Sequence, residues 1–111
     1  MTPDQFRKTA LAFAGATESS HMNHPDFRIA GKVFATLGYP DDSWGMVNLT
    51  PDQQHKLIAA APAEFQPAKG AWGRQGSTLV NLAAVKPQQL KAALAVAVWN
   101  AAPDHSDGAS H

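Results

Sequence analysis

The 111-residue sequence contains no cysteine. That absence removes a disulfide framework, thiolate-bound zinc and thiol catalysis together. Neither charge is in excess, with nine Lys and Arg against nine Asp and Glu. Binding nucleic acid through many phosphates normally leaves a basic surplus, so any phosphate contact here must come from a local patch. No stretch approaches the roughly 20 apolar residues that span a bilayer. The opening residues, MTPDQFRKTALAFAGA, interrupt their apolar positions with charge and do not read as a secretory signal. Together these absences give the expectation of a cytoplasmic, bacterial-type protein with no membrane partner and no cofactor.

What is present suits one modest globular core: 44% of residues are hydrophobic and 16% charged. One domain is expected over residues 1–103, followed by a small, polar and disordered tail over 104–111. Thr2-Pro3-Asp4-Gln5 is a helix start, with a capping threonine, a proline at the first helical position and a glutamine to complete a capping box. Phe6, Ala10, Phe13 and Ala14 then repeat on one face, and Gly15 is placed to end the helix. Thr50-Pro51-Asp52-Gln53 repeats the same start letter for letter and opens a helix with Leu57, Ile58 and Ala61 inward. A last helix begins at Pro87, with Leu90, Leu94, Ala97, Val98 and Ala101 on one stripe.

Between these helices the pattern is that of strands. Residues 18–22 read as an edge strand and Asn23-His24-Pro25-Asp26 as a turn. Residues 27–29 and 32–37 form a hairpin about a two-residue turn at Ala30-Gly31, which sets Phe27 opposite Phe34 and turns Arg28 to the other face. Strands follow at residues 44–49 and 78–82, and residues 63–76 are irregular. The order predicts an α+β fold: an antiparallel sheet, a meander plus a further strand, with three main helices packed on it.

His24-Pro25-Asp26-Phe27-Arg28, then Gly31-Lys32 and Phe34-Ala35-Thr36-Leu37, resemble the MmcQ/YjbR family. Trp44-Gly45-Met46-Val47, Trp72-Gly73-Arg74 and the final helix extend the resemblance to about residues 1–102. It implies a compact frataxin-like fold in a double-wing arrangement, and the DNA-binding label attached to that arrangement. It brings no catalytic set. Frataxin-type iron binding needs an acidic first helix; here Asp4 stands there with Arg7 and Lys8, so iron is not carried over.

Three function classes follow. In the first, a non-enzymatic protein binds DNA: Arg28, Lys32, Lys69 and Arg74 contact phosphates, and Trp72 stacks on a base. Its Gly-rich segment, KGAWGRQG, lacks the Gly-Lys-Ser/Thr ending of a phosphate-binding P-loop. In the second, His21, His24, Asp26 and Arg28 form a small-ligand or metal site. A metal needs three converging ligands, which the His21-x-x-His24 spacing does not ensure, so no metal site is assigned. In the third, Tyr39, Trp44 or Trp72 serves a protein-interaction surface. Each has a structural counterpart: Arg28 paired with Asp26 or Glu18, His24 and Asp26 fixing the hairpin entry, Trp72 plugging the core edge. Ser19, Ser20, Ser43 and Ser77 lack a nucleophile elbow or an identifiable base, so no catalytic residue is assigned.

Overall fold

Two helix starts share one solution to the unsatisfied amides of a first turn. In the computed structural model, which describes residues 1–102, Thr2 accepts from the Gln5 amide at 3.1 Å while its own amide donates to Gln5 Oε1 at 2.8 Å. Thr50 and Gln53 reproduce the arrangement at 3.2 and 2.8 Å. These boxes open α1 (Pro3–Leu11) and α2 (Pro51–Ala60). The chain then supplies β1 (Ala16–His21), β2 (His24–Ile29), β3 (Lys32–Leu37), β4 (Trp44–Asn48), β5 (Phe65–Pro67), α3 (Gly70–Arg74), β6 (Ser77–Asn81) and α4 (Pro87–Ala101). The strands form one antiparallel sheet in the order β1-β2-β3-β4-β6-β5.

The α+β architecture is as expected, with three longer helices and a fourth, short one. That short helix and β5 lie in the segment whose composition reads as irregular; three-residue and five-residue elements are too brief to show a period. The helix expected to run to Gly15 stops at Leu11, and Phe13 packs against the core from the following turn. The first turn of the meander is Met22-Asn23, with φ of 51° and 66°, not the Asn23–Asp26 tetrapeptide. Both residues take the left-handed conformation that matches strand twist in a two-residue hairpin, so His24 and Pro25 already belong to β2. Pro25 pairs with Ser20 of β1, while the β3 ladder starts one residue later at Asp26, so its missing amide interrupts no bond to β3.

The β2–β3 hairpin contains the main departure from simple alternation. Arg28 faces Val33 and Ile29 faces Lys32 as the turn predicts, but Phe27 faces Ala35 and not Phe34. The register shifts between Phe27 and Arg28, leaving Phe34 as the extra residue of a β-bulge. A bulge lets two successive side chains share a face. Phe34, Ala35 and Leu37 are thereby all buried in the main core, and Thr36 opposes Asp26 on the other side. Strict alternation would have put Thr36 in the core beside Phe34.

α1 and α4 cover one face of the sheet, with α4 crossing β3 and β4. Phe6, Phe27, Phe34, Phe65, Leu90 and Leu94 are fully buried there. Gly45 is required at that contact, because a Cβ would stand 2.6 Å from the Phe6 ring. α2 lies beside α4, and Gln53 and Asn100 exchange side-chain hydrogen bonds of 3.2 and 2.7 Å. Among the described residues, the other face of the sheet carries a small apolar cluster of Met46, Leu79 and Ala68, with Tyr39 and Trp44 packed on it. No helix among the described residues is long and apolar enough to cross a membrane. The expected tail over 104–111 lies outside the described residues.

Candidate functional site

The face of the sheet away from α1 and α4 is where the chemistry collects. Alternation along β2 sets His24, Asp26 and Arg28 on this face, and the β1 pairing sets His21 beside them. Asp26 is completely buried. Arg28 reaches back two residues and forks onto it, donating from Nε to Oδ1 at 2.8 Å and from Nη2 to Oδ2 at 3.0 Å. His21 Nδ1 lies 2.6 Å from the same Oδ2. A buried carboxylate so paired is stabilised as the anion. The Arg28 hydrogen bonds hold the Asp26 carboxyl below its ordinary value of 3.8 against the opposing effect of burial, and His21 adds to the lowering. The same bond raises the Arg28 guanidinium.

The pair is not closed off. The Arg28 and His21 side chains remain 33% and 44% exposed, so each has a satisfied side toward Asp26 and an open side toward solvent. They form one wall of a groove of about 500 Å³. Val33, Thr36 and Met46 make its floor, Asn48 and Ser77 stand at its far end, and Trp72 and Gln75 from the α3 segment make the facing wall.

That facing wall is fixed from beneath. Gln54 on α2 is buried, and its amide donates to the carbonyls of Gly73 at 3.0 Å and Ser77 at 2.9 Å. Gly73 sits so close to the Ala68 carbonyl that a Cβ would come within 1.8 Å of it. Thr78, also buried, donates to the Gly76 carbonyl at 2.9 Å. Trp72 is thus carried on a short helix whose backbone is clamped, while its own side chain stays exposed and touches the Tyr39 ring at 6.1 Å. Tyr39 in turn meets His24 edge-on at 5.9 Å.

The residues singled out from sequence therefore separate. His21, Asp26 and Arg28 converge; His24 joins the aromatic row with Tyr39 and Trp72 instead. Lys32 pairs with Ile29, in the register that faces away from Arg28. Lys69 and Arg74 stand exposed at the two ends of α3, and neither they nor Lys32 line the groove. Trp44 packs on the small open-face cluster. Among the described residues no three His, Asp or Glu side chains gather as metal ligands. On α1, Arg7 is engaged by Asp4 at 2.7 Å and Glu18 at 3.0 Å.

Several groove residues stand outside the candidates singled out from sequence: Thr36 and Gln75 lie within segments noted for other reasons, and Asn48 carries no motif. Gln54 did leave a signal. It lies three and four residues before Leu57 and Ile58, so it occupies the inward stripe of α2 as a polar residue. A polar group in an apolar stripe needs a buried partner, and here it has two.

None of the curated proteins matches the sequence. Among solved structures, the chain is similar to the Deinococcus radiodurans protein DR2400, whose crystal structure is described by the domain family DUF419. The match covers 89% of this chain and 77% of that one at 16% identity, with a TM-score of 0.73. At that identity the likeness is one of fold. The YjbR family model matches residues 11–97, from the end of α1 to within α4, and takes in both walls of the groove. The chain belongs to the YjbR family.

Proposed function

We propose that this YjbR-family protein is a non-enzymatic binding protein, and that the open-face groove holds a small molecule. One observation carries the reading. Three of the four buried polar side chains of the described residues, Asp26, Thr36 and Gln54, line this groove or hold its walls, while Thr78 pairs with Val47 in the register of the helix-covered face. Burying a polar group costs free energy unless it is paired, and well-packed apolar substitutes often serve stability equally well. Polar burial gathered at one concavity is what supports side chains held ready for a ligand.

DNA binding is the second reading, and α3 gives it a basis. Lys69 and Arg74 bracket the exposed Trp72, an arrangement suited to two phosphates and a base. A single pair of titrations separates the two. Small-molecule binding predicts thermal stabilisation by compounds of a mixed polar library that disappears in Trp72→Ala, with no low-salt retardation of DNA. DNA binding predicts a salt-sensitive mobility shift that weakens in Lys69→Ala and Arg74→Ala. Absence of any library hit, together with a shift of that kind, would overturn the small-molecule reading.

A further inference from the structure

We infer that the groove selects a flat aromatic ring bearing one oxyanion group. The inference rests on the small-molecule reading above and specifies its ligand. Arg28 and His21 are the charged or chargeable side chains of the lining, and among the described residues no carboxylate side chain lines the groove, Asp26 being fully buried behind them. Asp26 occupies Nε and one hydrogen of Nη2 on Arg28. The guanidinium keeps Nη1 and the second Nη2 hydrogen as donors, whereas His21, whose Nδ1 faces Asp26, offers Nε2 as a donor only in the doubly protonated ring. An oxyanion is the group that uses such donors from an always-charged fork.

The rest of the groove asks for a ring. Trp72 offers an exposed indole opposite the cationic wall, and its other neighbour, Tyr39, limits where it can turn. Val33 and Met46 give an apolar floor, while Asn48 and Ser77 hydrogen-bond each other at 3.3 Å at the far end. A ring can lie on the floor against Trp72 with its anionic arm toward Arg28 and His21. An unsubstituted ring leaves the Arg28 donors without a ligand partner, and a bare anion leaves the apolar floor and the indole wet.

The probes are 2-naphthoate and 2-naphthyl phosphate, with 2-naphthol as the ring alone and acetate and inorganic phosphate as the anion alone. Titration calorimetry gives affinities, and the indole N–H signal of Trp72 and the Nε–H signal of Arg28 locate the ligand. The expected result is binding of one or both naphthyl anions at least ten-fold tighter than 2-naphthol and either free anion, with both signals shifted. The better of the two tells carboxylate from phosphate. Trp72→Ala loses about ten-fold or more, and Trp72→Phe recovers most of it. Equal affinity for 2-naphthol overturns the oxyanion while leaving the groove as a site. Binding of inorganic phosphate as tight as that of the naphthyl anions overturns the ring. Binding that shifts neither signal, or no binding by any probe, overturns the inference; the first of these also removes the groove reading.

Discussion

On the helix-covered side of the sheet, Phe6, Phe27, Phe34, Val47, Val80 and Leu94 fill the interior with carbon. On the open side, a carboxylate is equally buried, with a guanidinium and an imidazole folded over it. The same six strands support both. The first face uses shape and area, which contribute stability without regard to partner. The second uses directional bonds that leave the Arg28 and His21 side chains partly open to solvent. A protein that needed only to fold could have covered this side with another apolar helix. On the proposed reading, the difference assigns stability and recognition to opposite sides of one sheet.

The largest expected effect is on the helix side. Phe34→Ala should cost about 3–5 kcal/mol, because a fully buried ring is lost at the centre of a rigid core. Urea denaturation at neutral pH measures it. A loss below about 1 kcal/mol would mean that the bulge does not press Phe34 into the core, and the contrast between the faces would weaken.

Next comes the buried carboxylate. Asp26→Asn should cost about 1.5–3 kcal/mol at neutral pH, since the hydrogen bonds from Arg28 and His21 lose their charged acceptor. Its pH dependence has a definite sign. The folded-state value lies below the ordinary 3.8, so this stability is fully present above that value and fades as pH falls through the depressed one. The wild-type advantage in melting temperature over Asp26→Asn should therefore be constant near neutrality and shrink below about pH 4. An advantage unchanged down to pH 2 would show that the carboxylate is not the source.

These two residues also mark what could be read from the chain. Period, capping boxes and the Ala30-Gly31 turn are local, so helix starts, the hairpin and the outward turn of Arg28 were legible. The bulge was not. It depends on how two phenylalanines and an alanine pack against α1 and α4, which no local pattern records. The same holds for the site. Arg28 with Asp26 could be paired from their spacing, but which histidine joins them is set by the β1–β2 register, and that register follows from a Met22-Asn23 turn without glycine. Lys32, Lys69 and Arg74 looked like companions of Arg28 because they are near it in sequence or composition. Strand parity and the ends of α3 place them outside the groove.

A smaller effect tests the wall that carries Trp72. Gln54→Ala should cost about 1–2 kcal/mol. The Ser77 carbonyl still accepts from Ala68 and the Gly73 carbonyl from Gly76, so neither is left bare. The local consequence should exceed the global one: amide hydrogens of Trp72 through Gly76 should exchange faster, while those of β2 and β3 do not. Equal acceleration across the sheet would make Gln54 part of the general core and not of the groove.

The smallest stability effect belongs to the residue with the largest expected role in binding. Trp72 is 53% exposed, and its support comes from the clamped backbone beneath it, not from burial of its own ring. Trp72→Ala should therefore change unfolding free energy by no more than about 0.5 kcal/mol. A large exposed aromatic costs little to remove and covers the Tyr39 ring only in part. If the groove is a binding surface, this substitution separates the two properties that the sheet keeps on opposite faces, with ligand affinity lost and stability retained. A loss of 2 kcal/mol or more would instead place Trp72 with Met46 and Leu79 as a packing residue, and the open face would then be a second, thinner core.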